Sequence, residues 1–346
     1  MDLFAERLKA ARILNGYSLQ NLADALNNKI TKQTLHNYEK GQSEPNAELL
    51  QDLCKILKIN QDFFTHKAKV EFGTIEFRKL QKFSVKEKNK VIELTRDKLE
   101  RYIELEDLLA LPNNFHNPIK DFEINSAEDI ETAAQIVRDH WKAGIDPINN
   151  VIELLEDNHI KVIEIETEDG FDGLQTWVND TIPVIVLNSA KLKSLDRKRF
   201  TALHELAHLF LVGLDKFSER DKEKLCHRFA GAILFPPETA ISEFGNKRSN
   251  FHINELGLLK MQYGISMQAL VYRAKDLEFV SENYVRQFMF HMTQMGYKIQ
   301  EPFEYKGYEE SNRFMQLIYR ALAEDIISIE KAAQLSNASI AKLRGL

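Results

Sequence analysis

The chain has 346 residues, of which 44% are hydrophobic and 28% charged, and its formal net charge is −6. This is the composition of an ordinary soluble protein of two or three domains, and the charge argues against a protein that coats nucleic acid. No apolar run is long enough to span a membrane, the charged start MDLFAERLKAAR is unlike a signal peptide, and Cys54 and Cys226 lie far apart in helical patterns; a cytoplasmic protein without a disulfide framework or membrane partner is expected. Apolar positions Phe4, Leu8, Ala11, Ile13 and Leu14 predict a short helix that ends at Gly16. Ser18 caps a second helix, LQNLADAL, and after the polar break NNK Thr31 caps a third, KQTLHNYEKG. Pro45 and Asn46 introduce a fourth, AELLQDLCKILKI, and QDFF forms a short fifth. Five short helices with a turn between the second and third describe a helix-turn-helix unit over residues 1–66.

The stretch LADAL…ITKQTLHNYEKGQSEP resembles the XRE, or lambda-repressor-like, helix-turn-helix domain, through Leu22–Ala23, Thr31, Leu35, Tyr38–Glu39, Gly41 and Pro45. The resemblance implies that the third helix enters the major groove of a double-stranded DNA operator, with Lys32, Gln33 and Asn37 facing bases and Lys40 on phosphate. The residue types suit base recognition, since Gln and Asn hold adenine bidentately, Lys donates to guanine, and phosphate contacts add affinity without sequence information. It also implies a structural pair, Arg12 with Glu39, and a homodimer on a two-fold operator. Two departures stand out. NNK lengthens the turn, and Leu19 replaces a common phosphate-binding Gln, although Gln20 is adjacent. A helix-turn-helix used for protein contacts is the alternative they keep open.

Residues 67–110 form a basic linker and a long helix. Between 67 and 101 the chain carries eleven Lys or Arg against six Asp or Glu, which reads as a solvated helix face in preference to a phosphate contact. VEFGTIEFRKLQKF carries mixed signals, whereas Ser84 with Glu87 makes a capping box. Val91, Leu94, Lys98, Tyr102, Leu105 and Leu109 then form a narrow stripe suited to packing on the next domain or to a dimer seam. The loop LPNNFHNP, residues 111–118, marks a domain boundary.

Residues 111–250 alternate helices with three short apolar runs. SAEDIETAAQIVRDHWKAG is a helix capped at Ser126, and Pro147 opens another, INNVIELLEDN. IKVIEIE, LQTWVN and PVIVLN are expected to form a small antiparallel sheet, with PVIVLN as an edge to which an extended substrate adds. DRKRFTALHELAHLFLVG is an amphipathic helix that puts His204 and His208 one turn apart on one face, with Glu205 between them. Two imidazoles and a carboxylate supply two ligands and a general base for a catalytic zinc. Two histidines hydrogen-bonded in a polar core are the alternative that these five residues leave open.

The motifs DIETAAQIVRDHW, RFTALHELAHLF and EKLCHRFAGAILFP together resemble the ImmA/IrrE type of zinc metallopeptidase over about residues 125–240. The resemblance implies Glu223 as third ligand, with Glu219 and Asp221 off the motif, and it implies a metal-assisted peptide hydrolysis in which Glu205 takes the proton of the attacking water. His227 stands in place of the family's usual Asn, Cys226 fills a small-residue position, and His227 and Tyr263 are unassigned as transition-state donors.

Residues 251–346 read as helices packed around the peptidase core, with Ser266 and Ser328 as caps, or as a partner-binding or gating region. The expected architecture is thus multidomain and mainly α: a five-helix DNA-binding head, an α+β zincin-like peptidase core with a three-stranded sheet, and a helical C-terminal region. The expected function is a DNA-binding transcription regulator with a zinc metalloendopeptidase domain, which cleaves a repressor or antitoxin-like protein or itself, or meets a toxin partner. The competing expectations are a non-enzymatic regulator or antitoxin whose HELAH domain only binds metal or a partner, and a metal or stress sensor. The presence of Glu205 beside all three ligands favours the enzyme.

Overall fold

In the computed structural model, residues 3–64, 70–73, 84–167 and 170–345 are described. The expected boundary at residue 66, most of VEFGTIEFRKLQKF with its basic residues, and residues 168–169 lie outside them. The chain divides into two compact units, Met1–Glu71 with Leu80–Leu108, and Phe72–Lys79 with Leu109–Leu346.

In the first unit, side-chain caps set where the helices begin. The helices are α1 (Leu3–Leu14), α2 (Leu19–Ala25), α3 (Lys32–Glu39) and α4 (Ala47–Leu57), followed by a 3-10 turn at Gln61–Phe64. Ser18 Oγ accepts from the Asn21 amide at 3.0 Å, Thr31 Oγ1 from Thr34 at 3.1 Å and Asn46 Oδ1 from Leu49 at 2.9 Å. Leu8, Leu22, Leu35, Leu53 and Leu57 fill the core between them. The long turn between α2 and α3 is made by Asn27 and Asn28, whose φ angles of 54° and 55° are left-handed conformations that asparagine tolerates.

Helix α5 (Val85–Leu108) opens with the Ser84–Glu87 capping box and packs on α1, where Arg7 Nη1 meets Glu100 Oε2 at 2.6 Å. The buried stripe is Val91, Thr95, Leu99 and Tyr102, one step round from the expected Leu94 and Lys98. Thr95 takes a core position because its hydroxyl donates back to the Val91 carbonyl at 2.8 Å.

The second unit begins with α6 (Asp129–His140) and α7 (Val151–Asp157), which starts at an Asn150 cap, later than the expected INNVIELLEDN. Strands β1 (Lys161–Ile165), β2 (Gly173–Val178) and β3 (Ile182–Asn188) follow in the spatial order β1-β3-β2. The expected antiparallel sheet is corrected: β3 pairs antiparallel with β2 but parallel with β1, so the sheet is mixed. The physical reason is that β3 is buried at every residue, as a central strand must be, and the β1–β2 connection carries the chain past it. PVIVLN is therefore no edge; β1 and β2 are the edges.

Helices α8 (Leu195–Phe210), α9 (Glu219–Leu234), α10 (Pro237–Phe244), α11 (Ile253–Tyr263), α12 (Met267–Asp276) and α13 (Glu282–Gln294) share one apolar core with α6, α7 and the sheet. An irregular stretch then leads to α14 (Arg313–Ala323), α15 (Ile329–Ser336) and α16 (Ile340–Leu343), with Ser266 and Ser328 capping α12 and α15. Two buried acids pin that stretch. Glu301 accepts from the Met267 and Gln268 amides at the start of α12, and Glu309 from the Val151 and Ile152 amides at the start of α7. Among the described residues no helix is long and apolar enough to cross a membrane.

Candidate metal centre

Helix α8 is fixed along its N-terminal half before the histidines are reached. Asp196 meets Lys260 at 3.1 Å, and Lys198 meets Glu164 of β1 at 2.7 Å. Arg199 is fully buried, 3.3 Å from Glu309, and donates to the Tyr305 hydroxyl at 2.5 Å and to the Ile148 carbonyl. Burial pushes the Glu309 carboxyl up to about 7, against the pull of Arg199 and the two amides it accepts from. On the far side of α9, Glu131 of α6 binds Arg228 at 2.7 Å and Arg273 at 2.5 Å. Burial opposes ionisation of Glu131, yet the two guanidiniums hold its carboxyl below the ordinary range.

With α8 and α9 so placed, His204, His208 and Glu223 converge, their ligand atoms all within 4.8 Å of one another. His204 Nε2 lies 3.2 Å from Glu223 Oε2, His208 Nε2 lies 3.4 Å from Glu223 Oε1, and the two Nε2 atoms are 3.2 Å apart. Hydrogen bonds from His204 and then His208 hold the Glu223 carboxyl far below its usual range. The cluster is half open: His204 is buried, while the Glu223 side chain is 46% exposed.

Glu205, 2% exposed, faces β2. Gly173 permits that approach, since a Cβ there would sit 2.9 Å from Glu205 Cγ and 2.8 Å from Thr201 Cγ2. The cluster has two close neighbours on α9. Cys226 Sγ lies 3.6 Å from His208 Nδ1, the nitrogen turned away from Glu223. The His227 ring sits 4.3 Å from that of His204, with Nδ1 2.6 Å from the Glu223 carbonyl oxygen, to which it donates. In the sequence His227 stands out as a departure from a motif and an unassigned transition-state donor; its position one turn after Glu223 is the signal that places it here. Glu219 and Asp221 are engaged with Lys222 and Lys224, and Tyr263 donates to Glu243, so none of the three joins the cluster.

In the first unit, Lys32, Gln33 and Lys40 are exposed on α3 and Asn37 is half-buried, with Gln33 Nε2 donating to Asn37 Oδ1 at 3.1 Å. His36, which sequence reasoning misses, is exposed one turn from Lys32 and Gln33 and shares their face. Arg12 grips Glu39 with Nε at 2.5 Å and Nη2 at 2.9 Å, and its Nη1 donates to the Tyr17 carbonyl, tying α1 to the end of α3. Lys29, in the long turn, is committed to Asp52 at 2.6 Å.

Residues 8–64 match the family described as "Helix-turn-helix", and residues 155–275 match the "IrrE N-terminal-like domain", a match that runs across residue 250 into α12. The SPbeta prophage-derived uncharacterized HTH-type transcriptional regulator YonR of Bacillus subtilis (strain 168) is 40% identical over 74 residues, which are 21% of this chain and 67% of that protein. No solved structure matches.

Proposed function

Because the chain belongs to the XRE-like helix-turn-helix regulators and carries an IrrE N-terminal-like peptidase domain, we propose that it is a DNA-binding transcription regulator whose second domain is a zinc-dependent endopeptidase acting on a repressor or antitoxin-like protein. The observation that carries this reading is the convergence of His204, His208 and Glu223. The nearest atoms of these groups are 3.2–3.4 Å apart, His204 against Glu223 Oε2 and His208 against Glu223 Oε1, and with one atom taken from each residue all lie within 4.8 Å. Ligands about 2.1 Å from a tetrahedral centre lie about 3.4 Å from one another, so the donor set suits zinc in number and chemistry, and the imidazole pair suits it in spacing.

In this reading the two imidazoles and the Glu223 carboxylate would hold the ion. The chemistry supplied by zinc, when bound there, would be Lewis acidity toward water and the scissile carbonyl. Glu205 takes the proton from the attacking water and passes it to the leaving amine; its burial against Gly173 keeps that carboxylate in one place. Cys226 orients His208 by taking up its Nδ1 side, which leaves Nε2 beside Glu223 as the nitrogen that would hold the ion. On α3, Gln33, Asn37 and Lys32 read base edges and Lys40 binds phosphate, in an operator bound by a homodimer.

The test is zinc content by mass spectrometry, in the wild type and in His204→Ala. Near-stoichiometric zinc in the wild type and its loss in the variant are expected. Equal zinc in both would overturn the site.

A further inference from the structure

The outer edge of β2 is the place where the second unit meets a segment from elsewhere in its own chain. β2 pairs with β3 on its inner side. On its outer side, among the described residues, Phe72 bridges Val178 in antiparallel fashion and the Gly73 amide donates to the Trp177 carbonyl at 2.8 Å. Phe72 and Gly73 lie in sequence between the two parts of the first unit, yet they belong to the second. Gly73 comes in close, since a Cβ on it would stand 3.2 Å from that same carbonyl oxygen.

The position of β2 gives this pairing its meaning. The Gly173 end abuts Glu205, and the strand runs away from it for five residue steps to Val178. At about 3.3 Å per residue that is roughly 16 Å. An extended peptide added to the outer edge of β2 would be carried by backbone hydrogen bonds to the side of the proposed base. Any such peptide long enough to reach Trp177 needs the carbonyl that Gly73 already holds. One acceptor cannot serve both chains in register.

We propose that Phe72–Gly73 is an in-cis occupant of the substrate edge of the peptidase domain, which an extended protein substrate must displace to lie along β2. The proposal rests on reading the second domain as a peptidase. A tethered segment competes at an effective concentration of about millimolar, so a substrate in trans is disfavoured unless it pairs along the whole edge. The device thus favours long extended segments over short peptides, and it covers part of an edge that could otherwise pair with other chains.

The experiment measures binding of a fluorescent synthetic peptide with the sequence of residues 70–79, VEFGTIEFRK, to the full chain by anisotropy, without added metal. Gly73→Pro removes the competing amide donor, and this variant is expected to bind the peptide at least tenfold more tightly than the wild type. A second variant closes the edge. Phe72 and Val178 form a pair flanked by the Gly73 hydrogen bond, the narrow pair of an antiparallel ladder, with Cα atoms about 4.5 Å apart and within disulfide reach. In a Cys54→Ser background, Phe72→Cys with Val178→Cys is expected to crosslink on oxidation, to refuse the peptide, and to accept it again on reduction. Equal binding by wild type and Gly73→Pro, or failure of the pair to crosslink, would overturn the proposal. Zinc is measured on the same samples. A gain in peptide binding in samples that carry no zinc would sink the peptidase reading and leave the edge pairing standing; zinc-bearing samples without a gain would do the reverse.

Discussion

Helices α3 and α8 use one device, polar residues spaced to share a helical face, for opposite ends. On α3 the face is turned outward: Lys32, Gln33, His36 and Lys40 are exposed, and the helix is held from behind by Leu35, Tyr38 and Glu39. On α8 His204 and Glu205 are buried, and the helix is clamped by Asp196, Lys198 and Arg199 before the ligands begin. DNA recognition tolerates side chains that settle on contact, because phosphates position the helix and base edges then select among rotamers. Hydrolysis does not tolerate this. The proposed reaction needs a base and three ligands in place before the substrate arrives, and the ion pairs that clamp α8 give that rigidity while Glu223 stays open to solvent.

The largest effect expected from this contrast is at Glu205. Glu205→Gln removes the proton acceptor but keeps shape and burial, so cleavage of a co-expressed repressor or antitoxin-like partner should fall by about a thousandfold. Zinc content and operator binding should stay at wild-type levels. Fragment masses from the co-expression lysate decide the matter. Cleavage persisting in Glu205→Gln would remove Glu205 as the base and reduce its burial to packing.

The clamps come next, and two of them respond to pH in opposite directions. Trp141 and Trp177 are the two tryptophans of the chain and both lie in the second unit, so tryptophan fluorescence in urea follows that unit alone. Glu131→Gln leaves the buried Arg273 without its carboxylate and should cost on the order of 3 kcal/mol near neutral pH. The Glu131 carboxyl is held low in the fold, so its contribution is present above the ordinary carboxylate range and lost as pH falls through the folded value. Glu309 is the reverse. With its carboxyl raised to about 7, its contribution is full below the ordinary carboxylate pKa and is lost as pH rises through 7. Between pH 5 and 8 the stability of Glu309→Gln relative to wild type should therefore rise, by on the order of 3 kcal/mol. A relative stability that is flat with pH would show that Arg199 keeps Glu309 ionised throughout.

These clamps also mark where the sequence stops being informative. The helix caps at Ser18, Thr31, Asn46, Ser84, Ser266 and Ser328 are legible because a cap is decided by its own neighbours. His204 and His208 are legible because one helical turn fixes their geometry. Glu223 sits on another helix, and periodicity does not say which helices meet; only a resemblance to known motifs picks it out. The direction of β1 against β3 departs from expectation because short connections favour hairpins. The unbroken apolar run IPVIVLN, buried at every residue, is the sign of a central strand. Glu301 and Glu309 are invisible in the sequence, since they lie in an irregular stretch and cap helices far away along the chain.

Smaller effects are expected on the outward face. Gln33→Ala should cost about 1–3 kcal/mol on the cognate operator and relax selectivity at one base pair, because it removes the proposed base-edge contact. Lys40→Ala should weaken all sequences alike and lower the slope of log affinity against log salt by about one. Both are read by titrating labelled operator and scrambled duplex at several salt concentrations. A loss at Gln33 that is equal on both duplexes would assign α3 a phosphate role, or a protein-binding one.

The smallest effect should come from Cys226, and it tests how far the rigidity of α8 depends on its neighbours. A metal-binding imidazole holds its tautomer through whatever its second nitrogen meets, and substituting that partner typically costs about 10- to 100-fold in affinity. Here the partner is a thiol 3.6 Å from His208 Nδ1, a weaker group than a carboxylate or carbonyl. The loss in Cys226→Ala should therefore lie at or below the lower bound, about tenfold in zinc affinity measured by chelator competition. Cys226→Ser offers an oxygen in the same place and should recover most of it. If Ala and Ser bind zinc as the wild type does, the clamps on α8 alone hold His208, and the thiol beside it is only filling space.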